Sequence, residues 1–390
     1  MVFLLALALV FPVAADPILE PGIESWDEAA RQEGLLAKDA SLTQPRRLLL
    51  AWYTSHYQDA RSRQPRIRHI LWTIRNRPDL HLLDSRSLRI DERDTGAFGE
   101  ARKAWLEAMA VRGRDPFVPL RAAAALMRSD RETAARWLRN LLRRIEPDAR
   151  REEEVPPPPT PGGQWWSWGF VKGDALRTLA QLYADAIVGV TARTPWEGTG
   201  PLDDAIARSS FALAARRELD ASRDAQLLAE TAWWLHLTCE SFRRESRPPR
   251  DEFVPIAWAW LRRAESTGEA AWAVSGYMDP FQRYWSRLRP DLVPAAARRI
   301  QASPVKAVST VPAVCPAGLN VGPAGVSVNV RLIIAADGRV RFAMFLGGPV
   351  GTMKPALKAV RQWRFAPTTQ GPEPVEVETT IAVPMCTASR

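Results

Sequence analysis

Residues 326–334 read Val-Ser-Val-Asn-Val-Arg-Leu-Ile-Ile, and this alternation of apolar and polar side chains decides how the end of the chain folds. A period of two is typical of a β-strand that buries one face. Asp337-Gly338 follows, a dipeptide favoured in tight hairpin turns, and Val340 and Phe342 then continue the apolar alternation. The stretch therefore predicts a β-hairpin.

A short helix and a final strand follow the hairpin. Apolar residues within 353–363 are spaced by three and four, which places them on one face of a helix. Residues 375–383 alternate again and predict a strand with Glu376 and Glu378 on its outer side. The predicted carboxy-terminal domain is therefore a small antiparallel β-β-α-β sheet with a helix over one face.

The chain before this domain is predicted to be helical. Ile67, Ile70, Leu71 and Ile74 follow the i, i+3, i+4, i+7 spacing of one helical face. The last of the predicted helices covers residues 294–300. Because the helical part comes first and the strands come last, the predicted fold class is α+β and multidomain.

Part of the helical region has the spacing of a repeat. Residues 115–148 form a predicted helix, a tight turn and a second helix that stops at Pro147. This length and the final proline resemble a tetratricopeptide-type helical hairpin. A partial second match begins at Leu176. We therefore describe the large all-α domain as repeat-like.

The first residues indicate export. Residues 2–15 are almost wholly apolar, and Val13 and Ala15 are small enough for a signal-peptidase site. The apolar run is shorter than the roughly 20 residues of a membrane helix, so a cleaved signal is favoured over a retained anchor. The predicted organisation is a signal peptide at 1–15, an α-helical repeat-like domain at 16–300, a linker at 301–314 and the carboxy-terminal domain at 315–390.

The chain has three cysteines. Export implies an oxidising compartment, in which paired cysteines form disulfides. Cys315 and Cys386 bracket the carboxy-terminal domain, and we hypothesise that a disulfide between them clamps its two ends together. Cys239 lies in an apolar helical pattern and is predicted to be a buried thiol.

A short run after the predicted helix carries a resemblance to a known family. The run is Trp363-Arg364-Phe365-Ala366-Pro367, and it comes after Asp337-Gly338 and before Gly371. In these residues the domain resembles the TonB C-terminal domain family. The resemblance implies a TonB-C-like domain in the periplasm of Gram-negative bacteria, which binds an extended segment of outer-membrane receptors by strand addition. It also implies energy transduction from inner-membrane motor proteins in envelope transport.

The final strand is the predicted receiving edge for such a segment. Edge strands leave backbone N–H and C=O groups unpaired, and an extended peptide can add there. The strand at 375–383 is long, comes last and has no interior proline. The predicted peptide-binding residues are Val375, Val377, Thr379 and Ile381. The alternative is that the helical domain covers this strand, or that the sheet is only a structural cap.

The sequence offers no constellation for catalysis. None of its four histidines, His56, His69, His81 and His236, is spaced four residues from another, and no Cys-x-x-Cys occurs. Zinc sites require such spacings, and no phosphate-binding loop is present either. We therefore predict a non-enzymatic protein without a metal or cofactor, in which His69 and His236 are core or rim residues.

Charge and tryptophan content leave further partners open. The formal net charge is +9, without a block of like charges or a nucleic-acid motif, so a nucleic-acid partner is not predicted. Trp165, Trp166 and Trp168 follow a polyproline segment and either stack on sugar rings or, as we favour, fill grooves between helices. The alternatives to a TonB-like function are a helical-repeat scaffold for periplasmic proteins and a peptidoglycan-binding protein, both without energy coupling.

Overall fold

The protein is described by a computed structural model over residues 22–80, 83, 88–90, 94–154, 168–191, 202–267, 271–295, 297–301, 304–315, 326–348 and 352–385. Over these residues the chain is an α+β protein, as predicted, with helices first and a small sheet at the carboxyl end. The predicted signal peptide, His81, Trp165, Trp166 and Cys386 lie outside the described residues. The chain divides into two compact units, Met1–Leu141 with Arg193–Gly198, and Leu142–Ala192 with Thr199–Arg390.

The first unit is helical. Its helices are α1 (Trp26–Lys38), α2 (Thr43–Ser55), α3 (Ala60–Asn76), α4 (Thr95–Arg112) and α5 (Phe117–Leu126), followed by α6 (Arg131–Glu154), which contributes to both units. Asp59 begins α3 as its N-cap, accepting a hydrogen bond from the Arg61 N–H. The apolar face predicted for α3 is buried, with Ile70 and Ile74 only 1% and 2% exposed.

In the described residues of the second unit, six α-helices follow α6 and precede the sheet, and three of them pack against a fourth. They are α7 (Trp168–Val188), α8 (Asp204–Ala207), α9 (Ser210–Ala221), α10 (Ala225–Arg244), α11 (Val254–Thr267) and α12 (Ala271–Leu288). Helix α10 packs against α7, α11 and α12 and is therefore buried along much of its length. Trp260 and Trp285 are fully buried between these helices, so they fill grooves in the helical packing.

The sheet also lies in the second unit, where it is mixed rather than antiparallel. Its elements are β1 (Arg299–Gln301), β2 (Ala307–Ser309), β3 (Val326–Ile334), β4 (Val340–Gly347), α13 (Met353–Val360), β5 (Arg364–Phe365), β6 (Thr368–Gln370) and β7 (Glu373–Met385). The order is β1-β7-β3-β4; β6 also pairs with β7, and β2 pairs separately with β5. Strand β3 is antiparallel to both neighbours, whereas β1 is parallel to β7. The prediction of a helix at 294–300 was wrong, because none of its described residues is helical and Arg299 and Ile300 belong to β1.

One face of the sheet forms the core that the alternation predicts. Val328, Val330 and Leu332 of β3 are fully buried and belong to one apolar cluster with Ala356 and Val360 of α13. Helix α13 therefore covers this face, because its apolar stripe is spaced to meet the inward side chains of β3 and β7.

The segment predicted to be a linker is instead part of the sheet domain. Residues of β2 pair with β5, and the backbone N–H of Ala366 donates to the carbonyl of Lys306 at 2.9 Å. The Trp363 indole N–H donates to the carbonyl of Val311 at 2.8 Å. Val305 and Val311 are partly buried against the apolar cluster. The described part of 301–314 is therefore held along the domain rather than connecting it freely.

Buried ion pairs join the opposite face of the sheet to α11 and α12. The Arg299 Nη1 atom lies 2.5 Å from Asp279 of α12, and its Nη2 atom lies 3.0 Å from Glu376 of β7. Arg341 of β4 reaches Glu376 at 2.6 Å and Glu265 of α11 at 2.9 Å. We call these five residues the ion-pair cluster. Sequence alternation placed Glu376 on the face of β7 opposite its apolar side, and the structure shows that it is buried there, at 5% exposed.

The ion-pair cluster keeps both arginines charged. Burial alone would lower the pKa of Arg299, but its hydrogen bonds and charge interactions with Asp279 and Glu376 outweigh burial and raise that pKa. For Arg341, burial is likewise outweighed by Glu265 and Glu376, and its pKa is raised. Each arginine has more than one acidic partner, so removing Glu376 leaves both of them, in a largely buried site, with less opposite charge than they have now.

We therefore expect Glu376→Gln to lower the free energy of unfolding by about 3 kcal/mol, because it leaves two buried guanidiniums short of a counter-charge. Urea unfolding followed by circular dichroism measures this. Glu373→Gln, at an exposed position of the same strand, is the matched control and should change stability by less than about 0.5 kcal/mol. Equal stabilities for the two variants would contradict a structural role for the cluster.

Candidate peptide-binding edge of the sheet

Strand β7, the predicted receiving edge, is not an edge. Strand β3 pairs with one side of β7 from Val377 to Met385. On its other side, β6 pairs with Glu373–Val375, and β1 pairs with Glu376–Glu378. Val375 and Val377 are 1% exposed. The prediction of a receiving edge was therefore wrong for this part of the strand, because the chain's own backbone already occupies it.

The remainder of β7 is bounded at both ends by the same chain. Thr379 is 5% exposed, and Ile381 is half-buried in the apolar cluster. Beyond them, Ala313 forms a parallel bridge with Met385. Strand β1 ends at one side of this interval and Ala313 closes the other. Within the described residues, this side of β7 is unpaired only from Thr379 to Pro384, and Pro384 has no N–H to donate.

Strand β4 is the longer of the two outer strands of the sheet, β1 and β4. It pairs with β3 in an antiparallel register from Val340 to Gly347. Within the described ranges, no strand pairs with its other side from Arg341 to Gly347. The topology requires this arrangement: β3 has β4 on one side and β7 on the other, so the second strand of the hairpin becomes the outer one.

The sequence of β4 lacks the usual devices that block an edge. It contains no proline and no lysine, and Arg341, its one charged residue, belongs to the ion-pair cluster. The register shifts beside Arg341 and beside Leu346, so the regularly paired part is Phe342–Phe345. Leu346 is 50% exposed and Met353, at the start of α13, is 53% exposed. The open edge thus has apolar side chains available to a partner.

The Trp-Arg-Phe-x-Pro run closes the sheet at the start of β4. Trp363 and Phe365 are 8% and 4% exposed, whereas Arg364 and Pro367 are exposed to solvent. The Phe365 N–H donates to the carbonyl of Gly338 at 2.8 Å. Gly338 has a φ of +81°, and a Cβ there would lie 2.0 Å from the Phe365 carbonyl oxygen. The hairpin turn therefore needs glycine both for its conformation and for this close approach.

Of the two cysteines in the described residues, one is disulfide-bonded and the other is a free thiol. Cys315, one member of the predicted pair, is disulfide-bonded. Cys239 is a free thiol, 1% exposed as its apolar helix predicts, and burial raises its pKa to about 12. A buried thiol with a raised pKa is unreactive as a nucleophile at neutral pH.

Two of the histidines are buried and hold structural hydrogen bonds. The Trp285 indole N–H donates to Nδ1 of His236 at 3.0 Å, so the imidazole proton lies on Nε2. Burial lowers the pKa of His236 to about 4, and the positive charge of Arg244 adds to this effect. His69 lies between Arg46 and Glu33, at 2.9 Å from each, and its pKa is also lowered by burial. Both imidazoles are core residues, in agreement with the expectation from the sequence.

His236 predicts a loss of stability in acid. The pKa of His236 is lowered in the folded state, so below pH 6.5 this histidine becomes protonated in the unfolded chain but stays neutral in the folded protein. Between pH 7 and pH 5 this removes about 2 kcal/mol of unfolding free energy. In His236→Gln, whose side-chain oxygen still accepts from Trp285, the loss over that interval should be smaller by this amount. Urea unfolding at the two pH values measures it, and parallel pH profiles would contradict the assignment.

Comparisons with known proteins add no relative. No protein-family model matches the chain, and no curated protein or solved structure is significantly similar to it. In the described parts of the chain, no group of three or more His, Cys, Asp or Glu residues is placed to hold a metal ion. None of the described helices combines the length and the apolar character needed to cross a bilayer.

Proposed function

We propose that the protein is a non-enzymatic, TonB-like protein of the periplasm that captures an extended segment of a partner by strand addition at β4. The observation that carries this proposal is the edge Arg341–Gly347, which is paired on one side only within the described residues. Backbone bonds along such an edge supply affinity, and the adjoining side chains supply specificity.

The partner class comes from the resemblance in the sequence. The Trp-Arg-Phe-x-Pro run and the hairpin glycine resemble the TonB C-terminal domain family, and they meet in space through the Phe365–Gly338 hydrogen bond. This supports a receptor of the outer membrane, or another periplasmic protein, as the source of the extended segment. Export is supported by the apolar residues 2–15 and by the disulfide at Cys315, because disulfides persist in oxidising compartments.

The helical region serves in this proposal as the platform that holds the sheet. Asp279 of α12 and Glu265 of α11 bind arginines on both outer strands of the sheet, β1 and β4. A force on a captured segment would therefore pass through β4 into these helices. This arrangement suits either coupling to inner-membrane motor proteins or a repeat-like scaffold that displays the sheet.

Selection of peptides provides the test. Peptides of random sequence are selected against the full-length, oxidised protein, and amide hydrogen exchange is then measured with and without a selected peptide. We expect slower exchange at Phe342–Phe345 in the complex, because new backbone bonds protect those amides. Protection confined to β7 or to the helical region would contradict capture at β4.

Two proline variants form a matched pair for the same test. Ala343→Pro and Met344→Pro remove the N–H groups of adjacent residues, and adjacent N–H groups of a strand point to opposite sides. One variant loses a bond to β3 and is destabilised, whereas the other loses only an outward donor. We expect the variant that keeps its stability to bind the selected peptide at least about tenfold more weakly, as expected for a lost backbone bond and a blocked ladder. Undiminished binding by that stable variant would reject the edge.

A further inference from the structure

The stretch of sequence that forms β4, α13 and β5 contains no acid. From Gly338 to Pro372 the sequence has no Asp or Glu, although the whole chain has 44 acidic and 53 basic residues. The basic residues in this stretch are Arg339, Arg341, Lys354, Lys358, Arg361 and Arg364. Arg339 is paired with Asp337 and Arg341 with Glu265 and Glu376, all outside the stretch. The other four basic residues give the stretch its net positive charge.

Arg364 lies at the end of the open edge. The backbone of Arg339 accepts from Ala335 within the hairpin, so its bridge to Arg364 must lie on the side of β4 away from β3. Strand β5 thus occupies, beside Arg339, the same side that an added strand would occupy farther along. A strand laid against Arg341–Gly347 therefore ends next to Arg364.

The side chain of Arg364 is presented outward by its neighbours. Trp363 and Phe365 are buried on either side of it, which fixes the strand so that Arg364 is exposed. Its Nη1 atom donates to the carbonyl of Trp363 at 3.0 Å, and this bond orients the guanidinium. A guanidinium held in this way has further N–H donors that can bind a carboxylate.

Helix α13 adds positive charge beside the edge. Lys354 and Lys358 are exposed and four residues apart, which places them on one face of a helix that packs against β4. Two acids on the opposite face of the sheet are already paired with arginines. Glu376 binds Arg299 and Arg341, and Glu378 is paired with Arg331.

We propose that the edge of β4 selects acidic segments: the captured peptide carries carboxylate side chains, one of which binds Arg364. This inference rests on the proposed capture at β4 and states the chemistry of its partner. Charge-assisted hydrogen bonds to a guanidinium are stronger than neutral ones, and a positive rim speeds the approach of an acidic chain. A basic segment meets repulsion from the same residues.

Three defined peptides test the preference. Each has about eight residues, the length of β4, with valine alternating with glutamate, threonine or lysine. Binding to the full-length protein is measured by fluorescence anisotropy. We expect the glutamate peptide to bind about tenfold more tightly than the threonine peptide, and the lysine peptide to bind most weakly. The preference should shrink when salt is raised from about 0.1 M to about 1 M, which shortens the screening length from about 10 Å to about 3 Å.

A charge reversal locates the effect. Arg364→Glu should weaken the binding of the glutamate peptide by about tenfold or more and strengthen the binding of the lysine peptide. Arg364→Lys should keep part of the preference for glutamate. Arg217→Glu, at an exposed position of α9, makes the same change in net charge and serves as the control. It should leave all three affinities within about twofold, because α9 packs against α7 and α8 rather than against β4.

The outcomes separate this inference from the function on which it rests. Equal binding of the three peptides, abolished by the stable proline variant of β4, would keep strand capture and overturn the acidic preference. A glutamate preference that Arg364→Glu and Arg217→Glu reduce equally would also overturn it, because the effect would then reflect net charge alone. Binding of none of the peptides would count against β4 as a receiving edge.

Discussion

The carboxylate of Glu376 binds two guanidiniums that come from the two outer strands of the sheet, Arg299 on β1 and Arg341 on β4. All three groups are largely buried, so none can leave without stranding a charge. Asp279 and Glu265 attach the same arginines to α12 and α11. This cluster therefore fixes two things together: the sheet stays on the helices, and β1 stays on β7.

The ion pairs that hold β1 on β7 determine where a partner can bind. A foreign strand could replace the backbone bonds of β1, each worth about 1 kcal/mol, but it would not replace the ion pairs of Arg299. Separating a buried arginine from its acids costs about 3 to 5 kcal/mol. Addition at β4 has no such cost, because no strand of the described residues has to be displaced there. The difference favours β4 as the receiving strand even though β7 is longer.

Local patterns predicted the elements but not their neighbours. The hairpin of β3 and β4, helix α13 and the buried face of α3 all follow from side-chain period, and the structure has them. Strand β1 could not be predicted this way, because three residues carry no measurable period and its position depends on Glu376, 77 residues away. The buried state of Glu376 was missed for the same reason. Which strand is the edge is a property of strand order, and strand length misled the prediction.

The Trp-Arg-Phe run illustrates how one period of alternation can serve both folding and binding. The side chains of Trp363 and Phe365 are buried. The Trp363 indole N–H donates to the Val311 carbonyl, and the backbone N–H of Phe365 donates to the carbonyl of Gly338. These contacts place β5 at the end of β4, and so they decide where the open edge begins. The intervening Arg364 must then point outward, at the position where an added strand would end. The sequence resemblance thus corresponds to a structural arrangement, in which two buried aromatic residues set the position of one exposed arginine. The proposed preference for acidic segments follows from that placement and from the absence of Asp and Glu between Gly338 and Pro372.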